Sequence, residues 1–117
     1  MGRTAWSFLL LLAASACSES GPDADLQYIK QARSVGAEWA LVNEQAAEGK
    51  LTPTYVGSMH VWLRKQLRTA STSLTKPDSR YGKEIQALQQ QPDNVAPAEL
   101  RARVAKLKEI EDQLESA

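Results

Sequence analysis

Apolar residues recur every three or four positions along most of this chain, the spacing that places them on one side of an α-helix. The first such stripe consists of Ile29, Ala32, Val35, Gly36, Trp39, Val42 and Ala46. Asp23 or Asp25 can cap the start of this helix, and Gly49 suits its end. The pattern predicts a first helix over about residues 23–48.

The second stripe follows Leu51-Thr52-Pro53, a sequence typical of a helix start. Thr52 can be the N-cap, and Pro53 is tolerated at the first helical position because its missing N–H needs no partner there. Leu51 can pack against Val56 across this start. The apolar positions are Val56, Met59, Leu63, Leu67, Ala70 and Leu74, widened by Tyr55 and Trp62. Lys76-Pro77-Asp78 is expected to break the helix.

Two further stripes complete the pattern. A short third helix carries Tyr81, Ile85 and Leu88 and stops before Pro92. Pro97 restarts the chain, with Val95 placed to pack against Leu100. The last stripe is Leu100, Val104, Leu107, Ile110 and Leu114, flanked by charge pairs at i, i+4 spacing, Glu99 with Arg103 and Lys108 with Asp112.

No strand-like alternation of apolar and polar residues interrupts these helical patterns after residue 16. We therefore expect an all-α fold, a small up-down helical bundle or long helical hairpin of three to four helices. Its short third helix is expected to fold across the others. The largest predicted core residues are Trp39, Trp62, Tyr28, Tyr55 and Tyr81.

The N-terminus has the order of a secretory signal: Arg3, then the apolar run Ala5–Ala14, then small residues. As a helix, residues 5–16 would span about 18 Å, short of the roughly 30 Å hydrocarbon core of a bilayer. Residues 1–16 are therefore predicted to be a signal peptide that is removed. An ordinary signal cut after Ala14 or Ala16, or an N-terminal anchor, is the alternative.

The segment Ala14-Ser15-Ala16-Cys17 resembles the lipobox of bacterial lipoproteins, although that family usually has leucine where Ala14 stands. The resemblance covers only the first 17 residues and implies a lipid on the thiol of Cys17, which becomes the first residue after cleavage. Cys17 is the only cysteine, so it cannot form an internal disulfide. The resemblance implies a lipid-anchored envelope protein, facing the periplasm from the outer membrane if the envelope is Gram-negative.

Residues 17–22 are then a lipidated tether and residues 23–117 a helical domain. Without Arg3 the chain has 13 basic and 14 acidic residues, a net charge of −1 that argues against nucleic-acid binding. The charge is uneven: −4 over residues 18–48, +6 over 49–83 and −3 over 84–117. The basic middle either pairs with the acidic flanks or faces anionic lipid and envelope polymers.

Candidate chemistry is sparse. His60 is the only histidine, and although Met59 precedes it, no haem-attachment sequence or set of zinc ligands accompanies it. No Gly-x-Ser-x-Gly elbow or glycine-rich phosphate loop occurs. We expect no enzyme activity, no cofactor and no metal.

The candidate interaction surface is a compact basic-aromatic patch of Trp62, Arg64, Lys65 and Arg68, with Glu38, Trp39 and Glu44 as an acidic-aromatic counterpart. Alternatively, both tryptophans fill the core and the two patches pair with each other.

Three functions remain open. The first is a lipid-anchored helical module that docks an envelope component, and the second is a structural lipoprotein that self-associates through the C-terminal stripe. The second resembles the small murein lipoproteins, but the terminal lysine of that family is absent from Glu115-Ser116-Ala117. The third is a small ligand-binding or stress-regulatory protein.

Overall fold

A computed structural model describes residues 21–117; Cys17 and the predicted signal peptide lie outside this range. These residues form four helices: α1 (Pro22–Ala47), α2 (Pro53–Ser73), α3 (Arg80–Gln89) and α4 (Pro97–Glu115). No strand occurs within residues 21–117, which confirms the predicted all-α class.

The helix boundaries follow the local chemistry. The backbone N–H of Tyr55 donates to Thr52 Oγ1 at 3.2 Å, so Thr52 caps α2 as predicted. At the end of α1, Gly49 adopts φ 72°, and the N–H groups of Gly49 and Lys50 bond back to Ala46 and Gln45. The predicted N-cap of α1 was wrong: Gly21 occupies that position without a side-chain hydrogen bond, while Asp23 and Asp25 lie inside the first helical turn and Asp25 is buried.

Helix α1 lies at the centre of the bundle, antiparallel to both α2 and α4. At one end the backbone N–H of Thr75, after α2, donates to Asp25 near the start of α1, and at the other end His60 bonds to Asn43 near the end of α1. Ion pairs of Lys30 with Glu115 and of Glu44 with Arg101 fix the same relation between α1 and α4. These two antiparallel pairs give the up-down arrangement, and short α3 packs against the other three helices.

One core joins all four helices. Its residues are Ile29, Ala32, Val35, Trp39, Ala40, Val42, Leu63, Leu67, Ala70, Leu74, Tyr81, Ile85, Leu88, Val95, Leu100, Leu107 and Ile110. Two predicted core residues were placed wrongly: Trp62 is 47 % exposed and Tyr55 50 % exposed. Both lie about 80–100° around α2 from Leu63, the centre of the buried stripe, and so fall at its margin.

Candidate functional site

Three of the four large hydrophobic side chains that are exposed within residues 21–117 lie on α2, the fourth being Leu41 on α1. Leu63, Leu67 and Ala70 bury one side of α2, so the other side faces solvent. It exposes Tyr55, Val61 and Trp62 by 50, 70 and 47 %, next to the exposed Lys65 and Arg68. We call these five residues the α2 face.

The α2 face has an uncompensated positive charge, since no acidic residue occurs in α2. Eight basic residues form ion pairs within residues 21–117: Lys30, Arg33, Lys50, Arg64, Arg80, Arg101, Arg103 and Lys108. The other five, for which the described range supplies no ion pair, are Lys65, Arg68, Lys76, Lys83 and Lys106. Four of these five fall between positions 65 and 83.

Arg64, which is part of the predicted patch, lies at the edge of this surface beside Val61, Lys65 and Arg68 and is only partly exposed. Its Nε donates to Asp93 Oδ1 at 2.6 Å, and its two terminal nitrogens donate to the carbonyl oxygens of Gln89 and Gln91. The guanidinium also lies 5.1 Å from the ring centre of Trp39. Arg64 therefore holds the segment between α3 and α4, whereas Trp62, Lys65 and Arg68, the other residues of the predicted patch, are exposed.

Three more side chains hold the same segment. Trp39 Nε1 donates to the carbonyl of Asp93 at 3.0 Å, and the Asn43 amide donates to the carbonyls of Asp93 and Val95 at 2.9 and 2.8 Å. His60 Nε2 lies 2.8 Å from Asn43 Oδ1. We call Trp39, Asn43, His60 and Arg64 the loop clamp.

The loop clamp also fixes the proton on His60. Because both carbonyls can only accept, the nitrogen of the Asn43 amide must face them, which leaves its oxygen toward the imidazole. Nε2 of His60 therefore carries a hydrogen and donates. The single histidine thus has a structural role between α1 and α2.

A cavity of about 290 Å³ lies beside this histidine at the surface. It is lined mainly by apolar residues, with three polar ones: Ala46, Ala47, Val56, Val95 and Pro97, then Asn43, His60 and Asn94. The Asn43 amide is already used by the loop clamp, and among residues 21–117 no charged residue lines the cavity. The cavity therefore offers apolar volume with few groups that could orient a ligand.

The sequence pattern missed the most heavily bonded side chain, Asp25, which is fully buried near the start of α1. Its Oδ1 accepts from the Thr75 N–H at 2.8 Å, and its Oδ2 accepts from Thr75 Oγ1, the Lys76 N–H and the Tyr81 hydroxyl at 3.0, 3.1 and 2.6 Å. Only the apolar residues around position 25 hinted that this carboxylate would be buried.

Burial alone would raise the pKa of Asp25, but the hydrogen bonds from Thr75, Tyr81 and Lys76 outweigh it and lower this pKa below its ordinary value. Burial and the bond to Asp25 raise the pKa of Tyr81 to about 12. The carboxylate therefore stays charged and the phenol neutral at physiological pH. Together they hold the α2–α3 connection against α1.

An acidic cluster on α4 is also bound by other side chains of the bundle. The oxygens of Glu111, Asp112 and Glu115 lie close enough together for a metal ion. However, Glu111 is bound by Arg33 at 3.0 Å and by Lys108 at 3.2 Å, and Lys108 also binds Asp112 at 2.9 Å. Burial opposes ionisation of Glu111, but these two cations lower its pKa. The cluster is therefore an ion-pair network between α1 and α4.

Comparison with protein-family models, curated proteins and solved structures gave no match to this chain. Within residues 21–117, no helix has both the length and the apolarity needed to cross a membrane. Fold and site together define a small all-α bundle whose most distinctive surface is the α2 face.

Proposed function

We propose that this protein is a lipid-anchored, non-catalytic interaction module of the bacterial cell envelope. The lipid is carried by Cys17, and the α2 face docks another envelope component. In a Gram-negative envelope the module would face the periplasm from the outer membrane. The sequence before Gly21 supports the anchor, and the surface of α2 supports the docking role.

The observation that carries this proposal is the exposure of Tyr55, Val61 and Trp62 on one helix. Each side chain loses the benefit of burial within the bundle, although the same helix buries Leu63 and Leu67 completely. Aromatic residues and arginine are also the residue types that dominate binding energy at interfaces. The α2 face therefore has the composition of a docking surface.

The ordinary role of His60 in the loop clamp supports a non-catalytic function. The alternative of self-association through the C-terminal stripe is less well supported, because Leu100, Leu107 and Ile110 are buried in the core. Self-association would have to use the α2 face instead.

Photocrosslinking in cells tests the docking role. A benzophenone amino acid is placed at Val61, or as a control at Ala105, which is exposed on α4. We expect an ultraviolet-dependent adduct between position 61 and another envelope component, and none from position 105. The adduct at position 61 should be lost when Trp62→Ser is introduced into the same protein. Equal adduct yields from both positions would contradict the proposed docking surface.

Fatty-acid labelling tests the anchor. We expect Cys17→Ser to abolish the label and the membrane fractionation of the protein while the helical circular dichroism of the domain is unchanged. A label that persists in this variant would contradict the lipid anchor.

A further inference from the structure

We infer that the α2 face docks onto an anionic phospholipid bilayer, the same bilayer that holds the lipid on Cys17. This inference rests on the proposed function, because it assigns the partner of the docking surface and uses the tether. Three features support this inference: unpaired cations, exposed aromatic residues, and a tether that reaches the bundle close to them.

Charge is the first argument. Lys65 and Arg68 lie on the α2 face without an acidic residue anywhere on their helix, and Lys76 follows at its C-terminal side. Acidic side chains within residues 21–117 neutralise most of the other cations. Lysine and arginine near an anionic leaflet each strengthen binding, so this surface is complementary to one.

The aromatic residues are the second argument. Tyr55 and Trp62 are seven residues apart and so share one side of α2, with Val61 beside them. Tyrosine and tryptophan have an apolar ring with a polar group and are enriched where hydrocarbon meets headgroups. Amphipathic surface helices combine such residues with lysine and arginine, as the α2 face does.

The tether is the third argument. The carbonyl oxygen of Gly21 lies 3.3 Å from Thr75 Oγ1, so Gly21 lies beside the C-terminal end of α2. Four residue steps separate Cys17 from Gly21, a reach of at most about 14 Å. Lys76, just after α2, and Arg68 on the α2 face are therefore the unpaired cations closest to the anchor.

Because of the tether, a small surface is enough for α2 to dock onto the bilayer. Once the lipid is inserted, docking of α2 is intramolecular and profits from a high effective concentration of bilayer. Trp62 lies about 17 Å along the helix from Ser73, so contact of both the cations and the aromatics requires α2 to lie along the membrane surface.

Lysine acetylation of the full-length protein tests this inference. The protein is purified from a lipoprotein-processing bacterium and reconstituted into vesicles of phosphatidylcholine alone or mixed with phosphatidylglycerol. Mass spectrometry of the intact chain reports the lipid on Cys17, and peptide mapping reports the acetylation rate of each lysine. We expect slower acetylation of Lys65 and Lys76 only in the anionic vesicles, with Lys50 and Lys106 unchanged, and loss of this protection at about 1 M salt.

Two charge-matched variants sharpen the test. Lys65→Gln with Arg68→Gln should lower the docking constant, measured by protection of Lys76, about 30-fold, since each cation contributes about fivefold. Lys50→Gln with Lys106→Gln removes the same charge elsewhere and should leave the protection of Lys76 in place.

Equal acetylation of Lys65 and Lys76 in both kinds of vesicle would overturn the inference. Equal protection by soluble polyphosphate over phosphatidylcholine vesicles would overturn it too, since the surface would then bind a polyanion and not a bilayer. A protein adduct at Val61 together with equal acetylation would leave the proposed function standing, whereas a chain without lipid on Cys17 would reject the anchor itself.

Discussion

Replacing Asp25 with asparagine changes one atom in the hydrogen-bonded group that joins α1 to the α2–α3 connection. The two backbone donors, the N–H groups of Thr75 and Lys76, are bound by different oxygens of the carboxylate. An asparagine has only one oxygen, so its NH₂ group must face one of these two N–H groups. The hydroxyls of Thr75 and Tyr81 can rotate to accept a hydrogen, but a backbone N–H cannot.

The expected cost follows from these contacts. One backbone donor left without a partner costs about 1–3 kcal/mol, and the remaining bonds lose the strength that the charge adds. We expect Asp25→Asn to lower the free energy of unfolding by about 2–4 kcal/mol at pH 7. Asp23→Asn is the matched control: Asp23 is exposed in the same helical turn, and its replacement should cost less than about 0.5 kcal/mol.

Urea unfolding followed by circular dichroism measures both variants, and its pH dependence tests the charge directly. Because the folded state lowers the pKa of Asp25, the unfolded state binds more protons as the pH falls. The stability that Asp25 contributes is therefore present above about pH 4 and is lost below it. The difference between wild type and Asp25→Asn should shrink with it. Equal costs for the two aspartates at pH 7, or a difference that is constant down to pH 2, would refute this reasoning.

Three further measurements test the packing and the division of the basic patch. Leu63→Ala should lower the free energy of unfolding by about 2–5 kcal/mol, and a cost near zero would show that the buried side of α2 is wrongly placed. Gly57→Ala should raise the free energy of unfolding by about 0.5–1 kcal/mol, because no described atom lies within 4 Å of the added Cβ. Gly82→Ala should lower it by about 3 kcal/mol or more, since that Cβ would lie 2.1 Å from the Pro77 carbonyl oxygen. The opposite order of the two stabilities would refute both placements. Arg64→Ala should cost about 1–3 kcal/mol and Lys65→Ala less than about 0.5, so equal costs would contradict the role of Arg64 in the loop clamp.

Helix number and most helix boundaries could be predicted from the sequence because local chemistry determines them. Thr52 and Pro53 begin α2, and Gly49 with positive φ ends α1. The predicted pairs Glu99–Arg103 and Lys108–Asp112 also form, at 3.6 and 2.9 Å. Each of these features depends only on residues within about one helical turn of each other, so a stretch of sequence is enough to predict it.

The pattern of neighbouring residues does not predict hydrogen bonds between residues far apart in the sequence. Asp25 meets Thr75, Lys76 and Tyr81, which are 50 to 56 positions away, and the loop clamp joins α1 and α2 to a segment that carries no periodic signal. Because an aspartate in a first helical turn is common at exposed positions too, its residue type does not distinguish burial from capping.

The division of the candidate patch has a simpler geometric origin. Each residue of a helix turns the direction of its side chain by about 100°, so Trp62 and Arg64 point to nearly opposite sides of α2. Lys65 lies about 60° around the helix from Trp62, whereas Arg68 lies about 120° from Trp62 and only about 40° from Arg64. The spacing therefore separates Arg64 from Trp62 but not from Arg68. The spacing also does not reveal that the Arg64 guanidinium donates to the carbonyl oxygens of Gln89 and Gln91. These hydrogen bonds give Arg64 a role in the fold, whereas Trp62, Lys65 and Arg68 are exposed on α2.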